Sequence, residues 1–370
     1  MNSGTMALFA AVRAGDIDAV RRVLAGDVSP RIGDGRESPL HAAARHGPLA
    51  VVEALIVAGA LDWQTDAAGR TPLDVARRGS APDRDAIIAL LDREAIADAS
   101  FRAAVQAIHA GDSEALARLL DAQPQLLRER IVGPEAYRQA ERPQYFRDPK
   151  LFWYIANNPT LIERMPPNIT EIARIMIDRG VEQADLDYAL GLVMTSSSAR
   201  EAGQQVPLMR CLIGAGATLA RETIVATAAY RELAILRALI ADGEPVTVLL
   251  AAALSDVEQL RKLIADATSD DIQVAFALAV INQNHEAAKI ALDAGADVNA
   301  FLPVHAHSMA LHQAAVNDDV AMIEMLLARG ARTDARDTLW DGTPLGWSIH
   351  ENRPAARAFL EQYESSRASG

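Results

Sequence analysis

Apolar side chains recur along this chain at the three-to-four-residue spacing of a helix that buries one face. Val51, Val52, Leu55 and Ile56 form one such set, and Ile323, Leu326 and Leu327 another. Ahead of the first set lies an alanine-rich stretch with Ala43 and Ala44, small enough to let a neighbouring helix approach. Gly47 separates the two segments at a tight reversal that a residue with a Cβ would resist. Thr71 followed by Pro72 predicts the start of another short helix, with the hydroxyl as cap and proline in the first turn. The pattern therefore predicts pairs of short helices. One pair cannot bury its apolar surface alone, so the pairs must stack.

The pairs repeat. Ser38-Pro39-Leu40-His41-Ala42-Ala43-Ala44-Arg45-His46-Gly47 is followed 33 residues later by Thr71-Pro72-Leu73-Asp74-Val75-Ala76. Near the other end stand Leu311-His312-Gln313-Ala314-Ala315 and Thr343-Pro344-Leu345. Gly59-Ala60, Gly216-Ala217, Gly295-Ala296 and Gly330-Ala331 mark unit ends. These motifs resemble the ankyrin repeat, whose signature is Thr-Pro-Leu-His-x-Ala at a period of about 33 residues. About eleven units can be set in register over nearly the whole chain, and the array resembles bacterial ankyrin proteins with a long central insertion. The resemblance implies an all-α solenoid of stacked helix-turn-helix units with short finger loops. It implies binding on a concave groove, and a structural hydrogen-bonding role between loops for His41 and His312. Asp74 and Gly346 stand at the same place in two units, which suits a role that several residues can fill.

The period breaks once strongly. Three domains of the reading follow from that break: N-terminal repeats over 1–130, an insertion over 131–150, and C-terminal repeats over 151–370, all one continuous solenoid. Gly133-Pro134, Arg142-Pro143 and Asp148-Pro149 predict a loop in the insertion. By repeat register it lies where a finger would be, beside the concave face. Tyr137, Tyr145, Phe146, Phe152, Trp153 and Tyr154 fall there, six of the chain's 17 aromatic residues. Two readings stay open: a local core that orders a long loop, or the aromatic wall of a ligand pocket.

Composition narrows the chemistry. Half the residues are apolar, 23% charged and only 5% aromatic, which fits a folded helical protein. A net charge of -13 argues against a partner recognised through a phosphate backbone, so no nucleic acid is expected. The N-terminus lacks a basic segment followed by an apolar stretch, and no long apolar run occurs, so the expectation is a cytoplasmic protein without a membrane span. The single cysteine, Cys211, sits in an apolar run and reads as a small hydrophobe. His305, His307 and His312 would make a metal site only if they converged, and no metal or cofactor is expected. Trp340, Trp347 and His350 read as a cap on the stack's end. Phosphate-loop, nucleophile-elbow and His-Glu-x-x-His signatures are absent.

The sequence thus predicts a non-enzymatic module for a protein or peptide partner. Binding is expected to centre on Arg142, Tyr145, Phe146, Trp153, Tyr154, Asn157, Asn158, Thr195, Ser196, Arg200, Tyr230 and Arg231. The alternative is an enzyme or small-molecule binder with its pocket between the insertion and the middle repeats.

Overall fold

The computed structural model describes residues 3–26, 28–92, 96–131, 134–140, 148–156 and 165–368. The chain divides into two compact units, Met1–Gly216 and Ala217–Gly370. Among the described residues no strand occurs; two isolated antiparallel bridges join Arg130 to Lys150 and Phe301 to Met309.

The first unit opens with four helix pairs: α1 (Ser3–Ala14) and α2 (Ile17–Leu24), α3 (Pro39–His46) and α4 (Leu49–Val57), α5 (Pro72–Arg78) and α6 (Arg84–Leu91), α7 (Ala99–Ala110) and α8 (Ser113–Ala122). After the short helix α9 (Glu135–Gln139) comes a 3-10 turn at Leu151–Ala156 paired with α10 (Ile169–Ile177). Then α11 (Gln183–Met194) and α13 (Gln205–Gly214) pack together, with α12 (Ser197–Glu201) at their reversal. Consecutive first helices α1, α3 and α5 lie side by side, as do the second helices α2, α4 and α6. Between the layers Leu8, Leu40, Val52, Leu55 and Ile56 are fully buried; burying each such side chain contributes about 1.5–3 kcal/mol.

The second unit continues the pattern with α14 (Arg221–Ala229) and α15 (Leu233–Ala241), α16 (Val248–Leu254) and α17 (Val257–Leu263), and α18 (Ser269–Ile281) and α19 (His285–Asp293). It closes with α20 (Ala310–Val316) and α21 (Val320–Ala328), then α22 (Pro344–His350) and α23 (Pro354–Ala368). The all-α repeat architecture expected from the sequence is what the chain adopts. The reversals, however, are not all made by glycine. Ser255, Gln283, Asp318 and Asn352 take left-handed backbone angles there, the region most side chains avoid. Gly47 is needed for a different reason than a left-handed turn. Its φ is -79°, and a Cβ would lie 2.9 Å from the Ala43 carbonyl oxygen.

The motif histidines lock neighbouring units. His41 is fully buried. Its Nδ1 accepts from the Ser38 amide at 3.3 Å and the Ser38 hydroxyl at 2.7 Å, which leaves Nε2–H to donate to the Arg70 carbonyl at 2.9 Å in the next finger. His312 repeats this, from the Met309 amide to the Gly342 carbonyl. Asp74 keeps the cap, accepting from the Thr71 amide and hydroxyl, but a shorter side chain does not reach the next loop. His41→Ala is expected to cost about 1–2 kcal/mol by leaving buried partners unpaired, measured as urea unfolding, with metal content unchanged.

Burial pushes His41, His109, His307 and His312 below the ordinary 6.5, His109 to about 4. An imidazole neutral in the fold but protonated when unfolded makes the unfolded state bind more protons as pH falls. Stability is therefore complete above about 6.5 and declines from there toward pH about 4. A melting temperature that is flat over that interval would contradict it.

Candidate functional site

Of the described insertion residues, the short helix α9 runs onto the second-helix layer of the N-terminal repeats. Helix α9 packs on α4, and the Tyr137 ring joins the core of those repeats. Its hydroxyl donates to Asp62 Oδ2 at 3.1 Å, across 75 residues of chain. A finger position beside the first helices was expected; the apolar ring of Tyr137, with a buried carboxylate partner for its hydroxyl, draws this part to the other layer.

Of the expected site residues, Arg142, Tyr145, Phe146, Asn157 and Asn158 lie outside the described residues. Trp153 and Tyr154 are buried, at 1% and 4% exposure. The Trp153 ring packs 4.3 Å from Tyr188, under the Arg130 guanidinium. Tyr154 meets Phe101 and His109. The Thr195 hydroxyl donates to the Gly191 carbonyl, ending α11. Ser196 donates to the Ala156 carbonyl at 2.8 Å and caps α12. Arg200 is at the surface beside Glu201. In the second unit Tyr230 is 63% exposed, and Arg231, at φ +62°, donates to Asn317.

A groove of about 490 Å³ opens instead between the first helices and the fingers of the N-terminal repeats. Arg13 and Arg45 reach it from the last turns of α1 and α3. One finger supplies Asp34, Arg36 and Glu37, the next Asp66, Ala67, Ala68 and Arg70. The fingers are built by their aspartates. Asp34 Oδ1 accepts from the amides of Arg36 and Glu37, both at 3.0 Å. Asp66 Oδ1 accepts from those of Ala68 and Arg70, both at 2.9 Å. The Ala67 amide donates to the Arg36 carbonyl and ties one finger to the other.

The carboxylates also orient the arginines. Asp34 holds Arg13 at 3.1 Å, Glu37 holds Arg45 at 2.6 Å, and Asp66 Oδ2 accepts from both Nε and Nη2 of Arg70. The Arg70 guanidinium keeps the Asp66 carboxyl well below the usual carboxylate range. Burial pushes the Asp34 carboxyl up, but the finger amides and Arg13 outweigh it and leave it lowered. Asp34 and Asp66 are therefore carboxylates at neutral pH. None of Arg13, Arg36, Arg45 and Arg70 is among the site residues expected from the sequence. Among the described residues no cluster of His, Cys, Asp or Glu is arranged to hold a metal ion, and no helix is long and apolar enough to cross a membrane.

The same finger-and-cap pattern is what comparison with known proteins finds. The family model "Ankyrin repeats (3 copies)" matches residues 8–100, and "Ankyrin repeat" matches residues 308–338. The chain is an ankyrin-repeat protein. Ankyrin repeats are generally protein–protein interaction modules. Over 73 residues the chain is also 48% identical to a potassium channel, KOR1, of Oryza sativa subsp. japonica. That stretch is 19% of this ankyrin-repeat protein and 8% of the channel, so the chain spans under a tenth of that relative's length.

Proposed function

We propose that this chain is a binding module, and that an extended segment of a protein partner lies in the groove of its N-terminal repeats. The observation that carries the reading is the groove itself. Three consecutive repeats supply charged side chains to one open channel, and the small side chains of Ala67 and Ala68 leave room at its floor. Open, polar grooves on rigid elements suit an extended chain better than an enclosed small molecule. No observation favours the enzyme alternative: of its candidates, Arg142, Tyr145 and Asn158 lie outside the described residues, Tyr154 is buried, and Arg200, Glu201 and Tyr230 are exposed. A cytoplasmic setting is part of the proposal and fits a chain with one cysteine, Cys211, whose thiol burial pushes up away from the reactive thiolate.

A second contact is proposed at Tyr230 and Arg231, because a tyrosine this exposed at a first-helix end is an available anchor. The test uses a photo-crosslinking residue at Ala68, with one at Glu53 on the second-helix layer as control, in cells that express the full chain. Adducts to a partner are expected from position 68 and not from 53. Adducts from 53 alone would place binding on the other layer and defeat the proposal.

A further inference from the structure

Arg13, Arg45 and Arg78 are spaced 32 and 33 residues apart and occupy one position in three successive repeats. Arg13 and Arg45 line the groove, and Arg78 follows in the last turn of α5, packed beside α3. With Arg36 and Arg70 on the fingers, the channel presents arginine along its length. This happens on a chain of net charge -13 that has no lysine before Lys150. Arginine matters here because its planar fork grips a carboxylate with two parallel bonds, which an ammonium does not.

The groove's three acids, Asp34, Glu37 and Asp66, are one fewer than its four arginines, Arg13, Arg36, Arg45 and Arg70, and Glu37 is paired with Arg45. Asp34 and Asp66 have their oxygens occupied by finger amides and by Arg13 or Arg70. They fix the guanidinium planes and leave further N–H donors of each fork unspent. Arg36 and Arg78 are exposed; Arg78 stands within Coulombic reach of Asp74 one helical turn back, and its fork remains open to solvent.

Resting on the groove reading, we infer that the partner segment is acidic and extended, with a carboxylate at every third residue. The period follows from geometry. Packed helices lie about 8–10 Å apart, so the arginine ladder advances by that step per repeat. A polyproline-type chain rises about 3.1 Å per residue with three residues per turn. Every third side chain therefore points the same way, about 9 Å from the last. One carboxylate meets one arginine per repeat.

The experiment titrates the full chain with a labelled peptide of three Glu-Ala-Pro triplets. Two controls have the same length: the glutamates placed together in one block, and lysine in place of glutamate. The triplet peptide is expected to bind several-fold more tightly than the block, more weakly with added salt, and the lysine peptide not measurably. Arg45→Gln is expected to weaken the triplet peptide about tenfold. Arg78→Gln and Arg36→Gln, both at exposed sites, should weaken it, and Arg36→Gln should do so with no change in melting temperature. Equal affinity for block and triplet, or indifference to all three substitutions, overturns the inference. If crosslinks from position 68 persist while the triplet peptide fails to bind, acidic recognition falls and the groove reading stands. If neither is seen, both fall.

Discussion

Lys150→Met is expected to destabilise the first unit by about 3–5 kcal/mol, the cost of stranding a buried charge. Lys150 closes the base of the insertion, where its backbone bridges to Arg130 and the Ile131 amide donates to the Pro149 carbonyl. Its ammonium lies 2.6 Å from Asp185 Oδ2 and 2.9 Å from Glu182. Asp185 is only 2% exposed. Burial by itself would lower the Lys150 pKa, but the two carboxylates reverse this and hold it above its ordinary value. Methionine keeps the stem's volume and removes the charge, so the loss reports on Asp185 and not on a cavity. The second substitution decides the mechanism. In Lys150→Met/Asp185→Leu no buried carboxylate remains to be stranded, since Glu182 is half-exposed, and most of the lost stability should return. Urea unfolding of the two variants is the measurement, and a double variant as unstable as the single one would contradict the account. Glu182→Gln, at a half-exposed site, should cost far less.

How much was legible depends on the range of the interaction. The helix pairs, their caps and the two motif histidines were readable because each rests on residues three or four apart, or one repeat apart. Thr71 with Asp74 and Ser38 with His41 are local, and His41 reaches Arg70 at a distance the period itself sets. The insertion was readable as a break in register but not in its course. Nothing near Tyr137 in sequence points to Asp62, 75 residues away. The aromatic crowding at Phe152, Trp153 and Tyr154 was visible, but one sequence cannot say which side of a short 3-10 turn faces inward, and all three are buried. The reversals at Ser255 and Gln283 carried no signal, since residues other than glycine, asparagine or aspartate rarely take that backbone region. The groove is the reverse case. Arg13, Arg45 and Arg78 recur in register in the bare sequence, and weighting aromatics above charges passed over them.

Asp337→Asn is expected to cost about 2–4 kcal/mol in the second unit although it changes one atom. Asp337 is 3% exposed and accepts four hydrogen bonds. Oδ1 takes the amides of Leu339 at 2.8 Å and Trp340 at 2.6 Å; Oδ2 takes the Gly342 amide at 2.8 Å and Trp347 Nε1 at 2.9 Å. An asparagine can keep one of these pairs. Its amide nitrogen must then face the other two donors, leaving buried N–H groups against N–H groups. The finger is the one His312 reaches through the Gly342 carbonyl, and His307, Trp340 and Trp347 pack around it. Tryptophan fluorescence in this unit should therefore report the change directly. Burial raises the Asp337 pKa, but the donors from Trp347, Trp340, Gly342 and Leu339 outweigh it and leave the carboxyl below its ordinary value. A carboxylate lowered in the fold stabilises above the unfolded value of about 3.9 and loses that contribution as pH falls below it. The wild type and Asp337→Asn should thus differ most near neutrality and converge in acid. Two unfolding curves separated by the same interval at neutral pH and well below the carboxylate range would mean that charge has no part in holding the finger.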